Sequence, residues 1–324
     1  MKLLEVINLK KAFAGRQNNF IRKPELVKAV DDISFAVAPG ETLGLVGESG
    51  CGKSTVAKLI MRLLAPDSGE VRLDGDNLAT LSARKMREKR REIQMIFQDP
   101  YTSLNPRLRA QEIVGEPLVN FGLVSGAELT QRVAELFAKV GLASDQRQKF
   151  PHEFSGGQRQ RLGIARAIAL NPKIIVCDEP VSALDVSIQA QIINLMRDLQ
   201  QEYGLAYLFI SHDLAVIEHI SHRVAVMYLG RIVELTDTQT LFLNPLHPYT
   251  QSLLDSVPTL DRRDARQMVD IEGEVPSAKS PPPGCHFHPR CRHALEKCRT
   301  DAPALVKVTE WHLVACHLHS AVAG

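Results

Sequence analysis

Short apolar runs of β-like composition open the chain: Leu4 to Leu9, Ile33 to Val37 and Thr42 to Val46. A polar, basic stretch from Ala14 to Lys28 separates the first two and reads as a loop. After the third run comes a glycine-rich turn. Val56, Leu59, Ile60, Leu63 and Leu64 then recur at helical spacing, so the segment predicts strand, loop and helix. Pro66-Asp67-Ser68-Gly69 closes that helix. The charged run Arg84 to Arg91 reads as a solvated helix face, and Ile93 to Phe97 as a strand. From Asp99 to about Leu170 the periodicity is helical, which predicts an inserted helical subdomain over residues 99–170. Strand and helix then alternate again through Ile174–Cys177, the amphipathic Ile188–Tyr203 and Tyr207–Ile210. Val224–Tyr228 and Ile232–Leu235, joined by Gly230-Arg231, predict a hairpin. The alternation predicts an α/β fold with a mostly parallel sheet flanked by helices.

Beyond Thr236 prolines and small polar residues rise and the periodic signals weaken. The expected organisation is an α/β domain over 1–235, a linker with a helix over 236–269, and a small cysteine-rich module over 270–324. No internal repeat is evident, so the pattern describes one such domain rather than a tandem pair.

Composition narrows the function classes. The 39 basic and 37 acidic residues nearly cancel, which removes any general attraction to nucleic acid. No apolar run approaches the roughly 20 residues that span a bilayer, and Met1-Lys2-Leu3-Leu4-Glu5 lacks a signal-peptide core. The expectation is a soluble, cytoplasmic chain unless partners hold it at a membrane. Two of the six cysteines, Cys51 and Cys177, lie inside the apolar strand-loop segments, while Cys285, Cys291, Cys298 and Cys316 crowd into the tail. In a cytoplasmic protein such a cluster reads as a metal site sooner than as disulfides.

The candidate chemistry begins at Gly47-Glu48-Ser49-Gly50-Cys51-Gly52-Lys53-Ser54-Thr55, a phosphate-binding loop pattern between a strand and a helix. Glycines let successive N–H groups turn toward phosphate oxygens, and the following helix presents its positive end to the same anion. Lys53 would neutralise the β and γ phosphates of a nucleotide, and Ser54 would offer its hydroxyl to Mg²⁺. Downstream, the apolar strand Ile174-Ile175-Val176-Cys177 ends in Asp178-Glu179. Asp178 suits Mg²⁺ support, and Glu179 suits a general base polarising the attacking water. Such a strand end is weak evidence alone, but it gains weight from its place after the phosphate loop and before Pro180-Val181-Ser182-Ala183-Leu184-Asp185.

Phe154-Ser155-Gly156-Gly157-Gln158-Arg159-Gln160-Arg161 opens a helix that Ser155 can cap, with glycines exposing its first N–H groups to an anion. Here the chain resembles the ABC-transporter ATPases over essentially its whole length. The resemblance implies the family's P-loop NTPase fold: a mostly parallel sheet core, an antiparallel β part and an inserted helical subdomain. It also implies a head-to-tail dimer in which Ser155, Gly156, Gly157 and Gln158 close on the nucleotide held by the opposite subunit, with Asp185 crossing the interface. By the same resemblance Gln98 contacts Mg²⁺ and water, His212 positions water with Glu179, and Phe13 stacks on adenine. For Phe13 a core position is the competing assignment.

Three segments resemble the dipeptide/oligopeptide importer branch: Tyr101-Thr102-Ser103-Leu104-Asn105-Pro106-Arg107, Asn244-Pro245-Leu246-His247-Pro248-Tyr249-Thr250, and the tail from Pro281-Pro282-Pro283-Gly284-Cys285 to Cys316. The resemblance implies a Mg²⁺-dependent ATPase that powers peptide import from the cytoplasmic face of a bacterial inner membrane. It further implies a second ATPase subunit, usually a paralogue, two membrane-spanning permease subunits and an extracytoplasmic binding protein. Cys285, Cys291, Cys298 and Cys316 can form a four-thiolate set suited to zinc or an iron–sulfur cluster, with Arg290, Arg292 and Lys297 offsetting its charge. The absence of Cys-x2-Cys pairs and the resemblance favour a 4Fe–4S cluster. Zinc held with His286, His288, His293 or His317, and free thiols, are the alternatives. The competing functions are a soluble, non-transport ABC ATPase acting on nucleic acid or ribosomes, and a regulatory protein that holds ATP without hydrolysing it.

Overall fold

The computed structural model describes residues 2–14, 26–256, 276–277 and 279–319. Residues 15–25 of the expected basic loop, and 257–275 across the linker and the start of the expected module, lie outside the described residues. The chain divides into two compact units: Lys2–Ala36, Thr42–Ala79 and Ser211–Gly324 form one, Val37–Glu41 and Thr80–Ile210 the other.

In chain order the elements are β1 (Leu4–Ala14), β2 (Leu26–Val37), β3 (Thr42–Val46), α1 (Lys53–Ile60), β4 (Ser68–Leu73), β5 (Asp76–Asn77), α2 (Ala83–Lys89), β6 (Ile93–Ile96), α3 (Pro100–Ser103), α4 (Ala110–Asn120), α5 (Gly126–Lys139) and α6 (Gly156–Ile168). There follow β7 (Ile174–Asp178), α7 (Val186–Tyr203), β8 (Ala206–Ile210), α8 (Leu214–Ile220), β9 (Arg223–Tyr228), β10 (Arg231–Asp237), α9 (Thr238–Leu243), α10 (Pro248–Asp255), α11 (Lys297–Thr300), β11 (Val306–Lys307) and β12 (Leu313–Val314).

The first unit holds a four-stranded sheet in the order β2-β1-β4-β5. Leu4 and Val6 point inward, as their alternation predicts, and Leu9, out of that phase, is turned inward by the irregularity at Asn8. The strand then outruns its apolar pattern. A bulge between Ile7 and Lys10 breaks the register with β4, and beyond it the Asp67 carboxylate accepts the Ala12 N–H at 2.7 Å. Hydrogen bonds to Ser68 and the Asp67 carboxylate, rather than burial, therefore carry β1 beyond its apolar run. The fully buried β3 lies parallel to β9, with Val46 opposite Val226. The β9–β10 hairpin turns through Leu229 and Gly230, both at positive φ, the requirement of the tight turn that matches strand twist.

The residues expected to form a separate tail module belong, where described, to this same unit. The physical reason is the edge of β10: β12 pairs with it antiparallel, placing Val314 opposite Glu234, and β11 pairs with β12 in turn. Phe287, 2% exposed, adds a side chain packed on Tyr228 and Tyr249.

The second unit contains the parallel strands β6, β7 and β8, in register from Ile93–Ile174 to Asp178–Ile210. Strands β7 and β8 are buried along their whole length, which explains their continuous apolar sequence. Helices α4, α5 and α6 pack on one another through Ile113, Val114 and Leu118, through Val133, Leu136 and Phe137, and through Leu162, Ile164 and Ala165. The helices of this stretch, α3 to α6, run between Pro100 and Ile168. Helix α2 carries the charged run, with Met86 as its buried residue.

Candidate functional site

The loop after β3 is shaped by glycines that nothing else could replace. Gly47 (φ +153°) and Gly52 (φ +111°) lie in the region that side chains avoid, and a Cβ on either would run into backbone, the Met227 carbonyl and the Ala29 carbonyl respectively. Gly50 (φ +80°) faces open space. Lys53 is buried, and its ammonium donates to the carbonyls of Gly47 at 2.7 Å and Glu48 at 3.0 Å. Helix α1 starts at Lys53 with Gly52 as its N-cap, a residue with no side chain to cap the first N–H groups. Ser54 and Thr55 occupy its first turn, Ser49 and Gly50 are exposed, and Cys51 is buried, its thiol pushed up by burial. In the same unit Phe13 is 38% exposed on β1, with the Lys11 ammonium 5.7 Å from its ring centre, so it is no core phenylalanine. His212, after Ser211 and before the Asp213 cap of α8, is also exposed.

In the second unit β7 delivers Asp178, buried, and Glu179, half-buried, at its C-terminal end. Glu179 sits at φ +48°, a strained conformation for a non-glycine residue that recurs at functional sites. Its Oε2 accepts a hydrogen bond from Gln98 Nε2 at 3.0 Å, which brings together two residues 81 positions apart. Ser155 caps α6 reciprocally: its Oγ accepts from the Gln158 N–H at 3.3 Å, and the Gln158 side chain accepts from the Ser155 N–H at 3.0 Å. Ser155 and Gly156 are exposed, and a Cβ on Gly157 would strike the Ile188 side chain. Asp185 caps α7, its Oδ1 accepting from Ser187 Oγ at 2.7 Å and the Ile188 N–H at 3.0 Å; those two bonds lower its carboxyl. Beside it Val186 is 81% exposed, an apolar side chain presented outward.

Residues 30–182 match the family model described as ABC transporter, and residues 233–298 match the one described as oligopeptide/dipeptide transporter, C-terminal region. The probable peptide ABC transporter ATP-binding protein y4tS of Sinorhizobium fredii is 53% identical over 99% of this chain and 91% of its own length. The oligopeptide transport ATP-binding protein AppF of Bacillus subtilis is 52% identical over 98% of each chain. The dipeptide transport ATP-binding protein DppF of Haemophilus influenzae is 48% identical over 97% of this chain and 96% of its own. The chain belongs to the ATP-binding proteins of peptide ABC transporters. Among solved structures, a dimeric post-hydrolysis state of the ATP-binding cassette MJ0796 bound to ADP and Pi superposes with a TM-score of 0.65. That match is at 30% identity over 72% of this chain and 98% of the other, and it shows the ABC ATPase fold.

In this peptide-transporter ATP-binding protein the C-terminal region is wired to the phosphate loop within one unit. Glu234, fully buried on β10, accepts from the Leu246 N–H at 2.7 Å, the His247 N–H at 3.0 Å and His312 Nε2 at 2.7 Å. Burial pushes its carboxyl up, but these donors and Thr250 outweigh burial and the net direction is down. His247 Nδ1 accepts the Tyr249 N–H at 3.0 Å, and burial holds this imidazole neutral with its pKa lowered to about 4. The buried Tyr249 hydroxyl then accepts the Glu48 N–H at 2.9 Å, so the Asn244–Thr250 segment ends its chain of bonds on the phosphate loop. Sequence reasoning gave this motif no physical role. The signal available was Glu234, a carboxylate inside the apolar run Ile232–Leu235, which demands buried partners.

The four tail cysteines lie in this unit as free thiols, and Cys316, pushed up to about 11 mainly by burial, also feels the charge of Cys285, Cys291 and Cys298. Cys285 N–H donates to the Cys298 carbonyl at 2.9 Å. Among the described residues no group of three or more His, Cys, Asp or Glu is arranged to hold a single metal ion. The histidines named as zinc ligands are largely engaged elsewhere: His288 with the Cys285 carbonyl, His293 with Arg292 and His317 with the Asp301 carbonyl. Arg290 does not offset cysteine charge as the sequence suggested, because its guanidinium forms a fork with Glu48 at 3.0 and 3.1 Å.

Proposed function

We propose that this chain binds ATP on the Gly47–Thr55 loop and hydrolyses it to drive import of di- or oligopeptides through membrane-spanning permease subunits. The observation that carries the reading is the loop itself: Gly47 and Gly52 in conformations only glycine tolerates, with the Lys53 ammonium folded into the turn they create. Lys53 and the N–H groups of α1 bind the phosphates, and exposed Phe13 meets the adenine. Ser54, Asp178 and Gln98 offer hydroxyl, carboxylate and amide oxygen, the hard donors that suit Mg²⁺, which supplies charge neutralisation on the β and γ phosphates. Glu179, oriented by its bond from Gln98, accepts the proton of the attacking water, and His212 positions that water. Ser155, Gly156, Gly157 and Gln158, with Asp185, act on the nucleotide of a second ATPase subunit, a paralogue; exposed Val186 supports an interface there.

The partners in this reading are two permease subunits and an extracytoplasmic binding protein, with the chain at the cytoplasmic membrane face. Among the described residues no helix is long and apolar enough to cross a membrane, which fits an ATPase held by partners. The peptide-transport relatives favour this function over an ATPase acting on nucleic acid or ribosomes. Uptake of a radiolabelled dipeptide into proteoliposomes containing the assembled complex tests it. ATP-driven accumulation that Lys53→Ala abolishes is expected; accumulation that survives Lys53→Ala overturns the reading.

The tail belongs to the same proposal. Cys285, Cys291, Cys298 and Cys316 supply the all-thiolate set that a 4Fe–4S cluster takes, and the engagement of His288, His293 and His317 argues against zinc held by those histidines. Purified protein should then show broad absorbance near 400 nm and about four irons per chain; a colourless, zinc-stoichiometric sample contradicts it.

A further inference from the structure

Glu48 is the second residue of the phosphate loop, and the unit holds it by every group it has. Its N–H donates to the Tyr249 hydroxyl at 2.9 Å, and its carbonyl accepts from Lys53 at 3.0 Å and from the Cys51 N–H at 3.3 Å. Its carboxylate takes the two-pronged Arg290 fork at 3.0 and 3.1 Å. Arg290 itself is 6% exposed against 21% for Glu48. It gives a further bond to the Tyr228 hydroxyl at 3.3 Å, and its guanidinium lies 5.9 Å from the ring centres of both Tyr228 and Phe287. Its backbone is fixed in a short turn whose N–H bonds run from Arg290 to Phe287 and from His288 to Cys285. A residue 242 positions away thus determines where the start of the loop lies.

We propose that Arg290 is a positioning residue for nucleotide binding, fixing Glu48 and neutralising its carboxylate so that the C-terminal segment sets the affinity of the phosphate loop. This rests on the reading that the loop binds ATP. A carboxylate in a loop that must accept a polyanion is tolerable only with its charge matched, and a planar fork matches it in charge and in direction. Without Arg290 the carboxylate is left in an anion site, where it repels phosphate and frees the loop from one of its anchors.

The test uses the full chain, with ATP affinity measured by titration of a fluorescent ATP analogue, melting temperature by calorimetry, and kcat in the assembled complex. Arg290→Gln should weaken ATP binding by about tenfold or more, while kcat at saturating ATP stays within about twofold. Arg290→Lys keeps the charge but loses the fork, so it should fall between the two. Glu48→Gln/Arg290→Gln should recover most of the loss, since no carboxylate then needs a partner. A purely structural Arg290 would leave the double variant as weak as Arg290→Gln, and that result overturns the proposal. Wild-type affinity in Arg290→Gln also overturns it. Should Arg290→Gln fail to fold, Arg290→Lys with an unchanged melting temperature and wild-type affinity overturns it instead. Failure of the wild type to bind ATP, or full binding by Lys53→Ala, strikes at the underlying function and is separately visible.

Discussion

The Gly47–Lys53 turn and the Ser155–Gln158 turn both expose helix-start N–H groups suited to phosphate, yet they are built differently. The first is enclosed by its own unit: its glycines back onto the carbonyls of Met227 and Ala29, Lys53 is 4% exposed, and Glu48 is tied to Tyr249 and Arg290. The second is exposed, satisfied mainly by its own capping box, with exposed Val186 beside the neighbouring cap at Asp185. In the proposed reading the enclosed turn holds its ligand alone and is preorganised by distant residues, whereas the exposed turn, offered to a partner's ligand, needs only to be held open and accessible.

Substitutions in the two turns should therefore differ in size. The largest effect is expected of Gly52→Ala or Gly47→Ala, where a Cβ collides with backbone: a stability loss of about 3 kcal/mol or more, together with loss of ATP binding, read by calorimetry and titration. Gly50→Ala meets open space and should cost only the conformational strain, about 1–2 kcal/mol. Equal melting temperatures for Gly50→Ala and Gly52→Ala would break the comparison.

Acid should weaken the enclosed side next. The unfolded His247 takes up a proton near pH 6.5, whereas burial keeps the native ring neutral down to about 4. Between those values the unfolded state binds the extra proton, so stability falls as pH falls, by up to about 3 kcal/mol across the window. The Glu234 carboxyl, held below its ordinary value, adds a loss that begins only as pH falls past the usual carboxylate range. Melting temperature measured from pH 7 to pH 5 should drop by a few degrees, and His247→Gln should flatten that slope; an equally steep slope in the variant contradicts the assignment. The smallest effect is expected of Ser155→Ala, a lost helix cap worth about 1 kcal/mol of stability, read as a slightly lowered melting temperature with ATP affinity of the isolated chain unchanged.

Much of this was legible in the sequence because it is local. The strand–loop–helix around Gly47, the acidic end of β7, the Ser155 cap and the β9–β10 hairpin each announce themselves within about ten residues through periodicity and turn chemistry. The roles of Gln98 and His212 came through the family resemblance rather than through spacing, and the Gln98–Glu179 bond was in neither. What escaped is long-range and polar. Arg290 has no local feature that assigns it to Glu48 rather than to the cysteines beside it, and the choice is made by Tyr228, Phe287 and the folding of the tail onto β10. The Leu246–Tyr249 segment reads as a proline-bound turn until Glu234 is seen to accept its N–H groups and Glu48 to donate to its Tyr249 hydroxyl. The extension of β1 to Ala14 was hidden for a related reason, since backbone pairing to Asp67 and Ser68 continues after the apolar alternation ends.

In the proposed function, ATP held by the phosphate loop is hydrolysed through Glu179, and the role of this carboxylate decides the mechanism. It is tested most directly by measuring ATP turnover and ATP affinity together in the assembled complex carrying Glu179→Gln. Turnover reduced by about 10²-fold or more, with affinity retained and an ATP-bound dimer accumulating, is the predicted result. Full turnover in Glu179→Gln would contradict it.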